Sequence, residues 1–198
     1  LFASRDKSKI KPGEILSVGP SMIPFVESND GVRVTMASAQ AKQAIPLKNP
    51  EIPCIQTGFE STLVPLLSSA FIKKSPTNGE ITEVTTHHIL VREDETNKIF
   101  SINTDPVALR SGQGKYGLSV FKPRVKVGQK VKKDYILAEG ANIKDGIISN
   151  GVNMLVAFMA WKGYNFEDGM VISESAAKKL TTVHMEIQST YLKEDEDI

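Results

Sequence analysis

Residues 80–102 read Glu80-Ile-Thr-Glu-Val-Thr-Thr-His-His-Ile-Leu-Val-Arg-Glu-Asp-Glu-Thr-Asn-Lys-Ile-Phe-Ser-Ile102. β-Branched residues gather in short runs here, Glu80–Thr86, Ile89–Val91 and Ile99–Ile102, with polar breaks between them. The pattern continues at Leu118–Phe121, Val125–Val127 and Tyr135–Leu137, and Gly79, Gly112, Gly114 and Gly128 are the predicted turns. Short, evenly spaced runs of this kind predict an all-β barrel or sandwich between Ile55 and Ala138.

On either side the pattern changes. Ile15–Val18 predicts a strand ended by Gly19-Pro20. Ser28-Asn29-Asp30 offers a cap to a helix over Val32–Ala44, which has no breaker before Pro46. Leu155–Met159 reads as a buried strand followed by a polar loop, Trp161–Asp168, and Met170–Ile172 is again strand-like. Ser173 then caps a short helix, Glu174–Leu180, before a β-rich run over Val183–Tyr191. The expectation is a mostly-β protein with two short helices.

The 198 residues hold 40% apolar side chains and 24 Lys plus Arg against 23 Asp plus Glu, which excludes wholesale disorder. The apolar run Met154–Trp161 is too short for a membrane span, and a single cysteine excludes a disulfide framework or a cysteine-based zinc site. A cytoplasmic globular protein is expected, without membrane contact. Leu1 is not Met and no signal-peptide pattern follows, so part of a longer chain is expected. Charge is polarised: from Arg110 to Lys133 the chain is basic with no acidic residue, whereas Glu194–Asp197 is wholly acidic.

No phosphate-binding Gly-rich loop, nucleophile elbow or paired metal-binding histidines occur. Two places can carry chemistry. Glu167 and Asp168, adjacent after a strand, suit a hard cation such as magnesium, provided other groups complete its shell; from composition alone a capped turn with a solvated neighbour is the more ordinary reading. The helix bearing Arg33, Gln40, Lys42 and Gln43 offers phosphate-matching donors, or an ordinary solvated face. The basic stretch suits a nucleic-acid backbone, although Tyr116 and Phe121 alone interleave with it and stacking support is thin.

Four blocks sharpen these alternatives. Leu16–Phe25 with Arg33 and Lys42-Gln-Ala-Ile-Pro46, then Thr57-Gly-Phe-Glu60, then Arg124–Lys133 with Leu137-Ala-Glu-Gly140, and finally Asn153-Met154, Val156–Met159, Trp161 and Gly163-Tyr-Asn-Phe-Glu-Asp168 stand in order. Together with Ser173-Glu174, they resemble the β subunit of bacterial-type multisubunit DNA-dependent RNA polymerase over roughly residues 15–190. The resemblance implies part of a double-psi β-barrel in two segments, 15–60 and 140–198, with an inserted sandwich-barrel hybrid module at 61–139 and a lead-in at 1–14. The second segment would end before the family's flap. It looks like a piece of a β subunit divided into separate chains, as in large bacteriophage polymerases, working in a bacterial host's cytoplasm.

The implied reaction is template-directed nucleotidyl transfer in transcription, with one wall of the catalytic cleft formed by this chain. Principal magnesium ligands would be an aspartate triad on a β′-type chain, and two family lysines would come from the remaining β segment. By the same resemblance, Glu167 and Asp168 stand near a second magnesium, holding it through water. Arg33 would bind the nucleoside triphosphate and Gln43 phosphates at the RNA 3′ end, with Gln40 and Lys42 as further candidates for contact with DNA template or RNA product. Ala39 and Lys42 replace the asparagine and arginine of the bacterial pattern, which weakens the finer contacts of that helix; Pro20 and Ala160 also depart from it. Two other classes stay open. One is a non-catalytic scaffold of a polymerase-like complex. The other is a biotinyl or lipoyl carrier module, suggested by Val125–Gly140, although Lys144 in Asn142-Ile-Lys-Asp-Gly146 lacks a carrier lysine's setting.

Overall fold

The computed structural model describes residues 16–110 and 116–185. Its strands form several antiparallel sheets accompanied by a few short helices, in agreement with the mostly-β expectation. The largest sheet is built from β2 (Gly79–Val84), β3 (His88–Glu93), β4 (Ile99–Asn103) and β8 (Lys130–Val131), in the order β4-β3-β2-β8. A second joins β1 (Ile72–Lys74), β9 (Ile136–Glu139) and β7 (Lys122–Pro123), with β9 central. β5 (Val107–Arg110), β6 (Tyr116–Ser119) and β12 (His184–Met185) make a third, and β10 (Ile143–Lys144) pairs with β11 (Ile147–Ile148) in a hairpin.

Alternation along β2 and β3 explains the packing. Ile81, Ile89 and Val91 point to one side and are fully buried with Phe121, Val125, Val131, Leu137 and Ala138. Val64, Ile72 and Ile143 form a smaller cluster backed by Phe71 and Ile148. Gly79, expected in a turn, lies inside β2, where a Cβ would meet the Arg92 carbonyl oxygen at 2.1 Å. Gly128 does make a turn, at φ +81°, while Gly112 and Gly114 lie outside the described residues.

The β1-β9-β7 sheet meets the β10–β11 hairpin at Glu139. Its buried carboxylate accepts from Arg124 Nη1 at 2.7 Å, the Gly146 amide at 2.6 Å and the Asp145 amide at 3.0 Å. Gly140 follows at a close crossing, where a Cβ would stand 2.5 Å from Ser119 Oγ.

Helices α1 (Val18–Ser21), α2 (Gly31–Lys42), α3 (Phe59–Leu63) and α4 (Glu174–Lys179) are short or exposed. α2 starts where expected: Asp30 accepts from the Val32 amide at 3.2 Å. Ser173 likewise accepts from the Ala176 amide and caps α4. No described helix is long and apolar enough to cross a membrane.

Several local expectations fail. The described part of Ile15–Val18 is not a strand; the chain turns into α1, with Pro20 in the first turn, where no amide donor is required. Val125–Val127 is not a strand either, since the Gly128 amide bonds to Ile81 and the Gln129 amide turns back to Lys126. Leu155–Met159 is neither paired nor buried, and Met170–Ile172 is likewise open and exposed. Apolar composition reports a capacity for burial, but a strand also needs a neighbour with free backbone groups. Of Val183–Tyr191 only 183–185, which include β12, fall among the described residues, and Glu194–Asp197 lies outside them.

Leu137→Ala should lower unfolding free energy by about 2–5 kcal/mol in a urea titration, because Leu137 is fully buried in the main core.

Candidate functional site

The site grows from two surface elements and a strap between them. α2 carries Arg33, Gln40 and Lys42, and Gln43 caps its C-terminus; all four side chains are exposed. Among the described residues the Arg33 guanidinium makes one polar contact, from Nη1 to Met36 Sδ at 3.7 Å, and the side chain is exposed. α2 rests on α1, where Gly19 approaches so closely that a Cβ would sit 3.0 Å from Ser38 Cβ. Buried Ser38 turns its hydroxyl to the Val34 carbonyl at 2.8 Å, which leaves a small surface for α1 to meet.

Glu167 and Asp168 lie on the second element, the loop 154–172, and both are exposed. No strand precedes them, contrary to expectation. The loop instead holds its shape through Asn165, whose Oδ1 accepts from the Trp161 amide at 2.8 Å and whose Nδ2 donates to the Met159 carbonyl at 2.7 Å. Lys162 and Glu167 adopt left-handed backbone at φ 51° and 56°, beside Gly163 at 79°. Such conformations cost about 1–3 kcal/mol each in non-glycine residues and persist where neighbours enforce them. Glu167 also lines a groove of about 920 Å³ with Met154, Phe158, Trp161 and Met170. Phe158 is 98% exposed and Met170 88%, so the groove's apolar wall faces outward without cover.

Expectation placed the helix residues and the carboxylate pair in separate blocks, and the structure keeps them on separate elements. Among the described residues, neither carboxylate of the pair takes part in a hydrogen bond or ion pair. No described group of three or more His, Cys, Asp or Glu side chains could hold a metal ion.

The strap is segment 47–57. Leu47 bridges Thr182 and Glu51 bridges Gly151. Glu51 Oε2 accepts from the Asn153 amide at 2.9 Å, and Oε1 pairs with Lys179 Nζ at 2.8 Å. Lys179 also donates to the Asn153 carbonyl at 3.3 Å. Asn153 returns to the strap, Nδ2 donating to the Ile52 carbonyl at 2.8 Å and Oδ1 accepting from the Cys54 amide at 3.1 Å. The Lys179 hydrogen bond, followed by the Asn153 amide, holds Glu51 below the usual carboxylate range. Sequence reasoning missed Glu51 and Lys179, for contacts spanning about a hundred residues leave no periodic trace.

At the strap's far end Thr57 Oγ1 donates to the Ser21 carbonyl at 2.8 Å, tying it to α1. Glu60 accepts from the Thr57 amide at 3.0 Å and the Gly58 amide at 2.9 Å. Burial pushes its pKa up, yet these donors outweigh burial and leave it below the usual range.

The sequence matches the family described as RNA polymerase Rpb2, domain 6, over residues 20–197. The chain belongs to this family. This Rpb2 domain 6 chain is 36% identical over 181 residues to a DNA-directed RNA polymerase subunit beta of Anaplasma phagocytophilum (strain HZ), covering 89% of itself and 13% of that protein. It is 36% identical over 185 residues to the same subunit of Anaplasma marginale (strain Florida), covering 91% and 13%. For the Prochlorococcus marinus (strain AS9601) subunit the identity is 35% over 183 residues, covering 91% and 16%. The Rpb2 domain 6 chain thus spans a small part of each of these relatives, and the match runs through both candidate elements.

The lowered Glu60 pKa has a sign. Folding is favoured fully above the ordinary glutamate value of about 4.3 and loses that contribution as pH falls through the lower folded value. Glu60→Gln should therefore flatten the decline of melting temperature with acidification below about pH 4.3, measured by thermal denaturation across that window.

Proposed function

We propose that this chain is part of the β subunit of a multisubunit DNA-directed RNA polymerase and forms one wall of its cleft for template-directed nucleotidyl transfer. The observation that carries the reading is the Asn165-tethered loop, which presents Glu167 and Asp168 to solvent next to an uncovered apolar wall, in a chain akin to β subunits. In this reading residues 15–60 and 140–198 are two segments of a double-psi β-barrel. Residues 61–139 are the inserted sandwich-barrel module, and 1–14 lead in. The bridges Leu47–Thr182 and Glu51–Gly151, which join the first segment to the second, support that division. The exposed face of Leu155, Phe158, Phe166 and Met170 supports a polypeptide partner, namely the remaining β segment. A β′-type chain is the other partner, and transcription would place the assembly in bacterial cytoplasm.

Two neighbouring solvent-facing carboxylates are hard oxygen donors that leave room for retained water, so Glu167 and Asp168 fit magnesium as partial, water-mediated ligands. When bound there, magnesium would offset negative charge on the triphosphate as pyrophosphate departs. The remaining work falls to the helix. Arg33 presents a planar fork to triphosphate oxygens, Gln43 a neutral donor to phosphates near the RNA 3′ end, and Gln40 and Lys42 contacts to the nucleic-acid backbone. Between them these residues orient the α-phosphorus for attack by the RNA 3′ hydroxyl. They bind and align; the principal ion's ligands come from the β′-type chain.

Losing a charged hydrogen bond costs about 1.5–3 kcal/mol, roughly ten- to 150-fold in affinity. In the assembled enzyme Arg33→Ala should raise KM for nucleotides by that order while kcat holds; a collapsed kcat at constant KM would remove the role. Asp168→Ala should depress kcat with subunit composition unchanged. Wild-type speed in that variant would count against the carboxylate role.

A further inference from the structure

The loop 154–172 pairs with no described strand, and Asn165 braces only its interior. Its position relative to the fold must therefore be set at its two roots. One root is Asn153, whose backbone amide, backbone carbonyl, side-chain oxygen and side-chain nitrogen are all engaged. The other is Ser173, the cap of α4, whose last residue is Lys179. Lys179 reaches both Glu51 and Asn153, so a single carboxylate on the strap gathers both roots.

We propose that Glu51, Asn153 and Lys179 act as a positioning clamp that sets where Glu167 and Asp168 stand relative to the Arg33 helix. The inference rests on the reading of those carboxylates given above. Three features separate it from ordinary stabilisation. The cluster is polar and half-exposed and belongs to neither apolar core, so its loss leaves the sheets intact. It joins residues about a hundred positions apart and gathers both roots of the loop. And the strap continues to Thr57, whose hydroxyl holds α1 and through it α2. Displacement at the roots is carried to the carboxylates, where misplacement by about 1 Å can cost about a hundredfold in rate.

The test is made on the polymerase assembly containing the full chain. Lys179→Met should lower kcat about tenfold and leave KM for nucleotides within about twofold, while amides 161–169 exchange hydrogen about tenfold faster and those of β2 and β3 are unchanged. In an Asp168→Ala background the same substitution should lower kcat by less than about twofold further, since both act through one loop. Lys179→Arg should restore both rate and protection. Glu51→Gln, which keeps side-chain shape and removes the charge, serves as the second variant and should follow Lys179→Met. Unchanged exchange at 161–169, or a full multiplicative loss in the Asp168→Ala background, would overturn the clamp. The two ideas fail separately. Asp168→Ala at wild-type speed removes the carboxylate role, whereas the exchange measurement alone still decides whether the clamp holds the loop.

Discussion

Glu139 is the buried charge on which the arrangement turns. Taking a carboxylate out of water costs several kcal/mol unless its lone pairs are met, and here a guanidinium and two backbone amides meet them. The geometry is demanding. Asp145 and Gly146 both adopt left-handed backbone, at φ 52° and 76°, as a two-residue hairpin requires, and that turn aims their amides at one acceptor. Arg124 stands so near that a Cβ on Gly146 would lie 3.2 Å from its Nη1. One carboxylate thus holds the end of β9, the turn of the β10–β11 hairpin and the residue that follows β7. The chain leaving that hairpin reaches Gly151 and the strap, so the position of the carboxylate loop is inherited from it.

The molecule divides its forces accordingly. The sheets rest on apolar burial, with Ile81, Ile89, Val91 and Leu137 wholly removed from water. The functional side rests on directional polar bonds between segments that bury little. That contrast suits the proposed role, in which this side meets other chains and charged ligands. A packed core there would leave no room for them, and an untethered loop would not present its carboxylates in one place.

Legibility from sequence followed the same divide. β2, β3, β4 and β9 were readable because alternation of branched apolar residues is a local signal, and Asp30 and Ser173 were readable as caps for the same reason. β1, β5, β10 and β11 were missed. They are two to four residues long, too short for alternation to register, and β1 is defined by a partner, β9, that lies far along the chain. The apolar segment Leu155–Met159 misled in an instructive way: its composition calls for cover, and composition cannot say whether cover comes from the same chain. The candidate residues were singled out by their side-chain chemistry and given roles by resemblance, not by periodicity. The strap that relates them, centred on Glu51, offered no local pattern.

Segment 47–57 and the loop it holds carry one further property. Cys54 is the only cysteine in the sequence and is exposed, and Trp161 is the only tryptophan. The first sits on the strap beside Asn153; the second stands within the loop beside Asn165. These 198 residues therefore hold one optical donor and one thiol for attaching an acceptor, on opposite sides of the same joint. Loop displacement can be followed as energy transfer between them, without introducing a reporter residue.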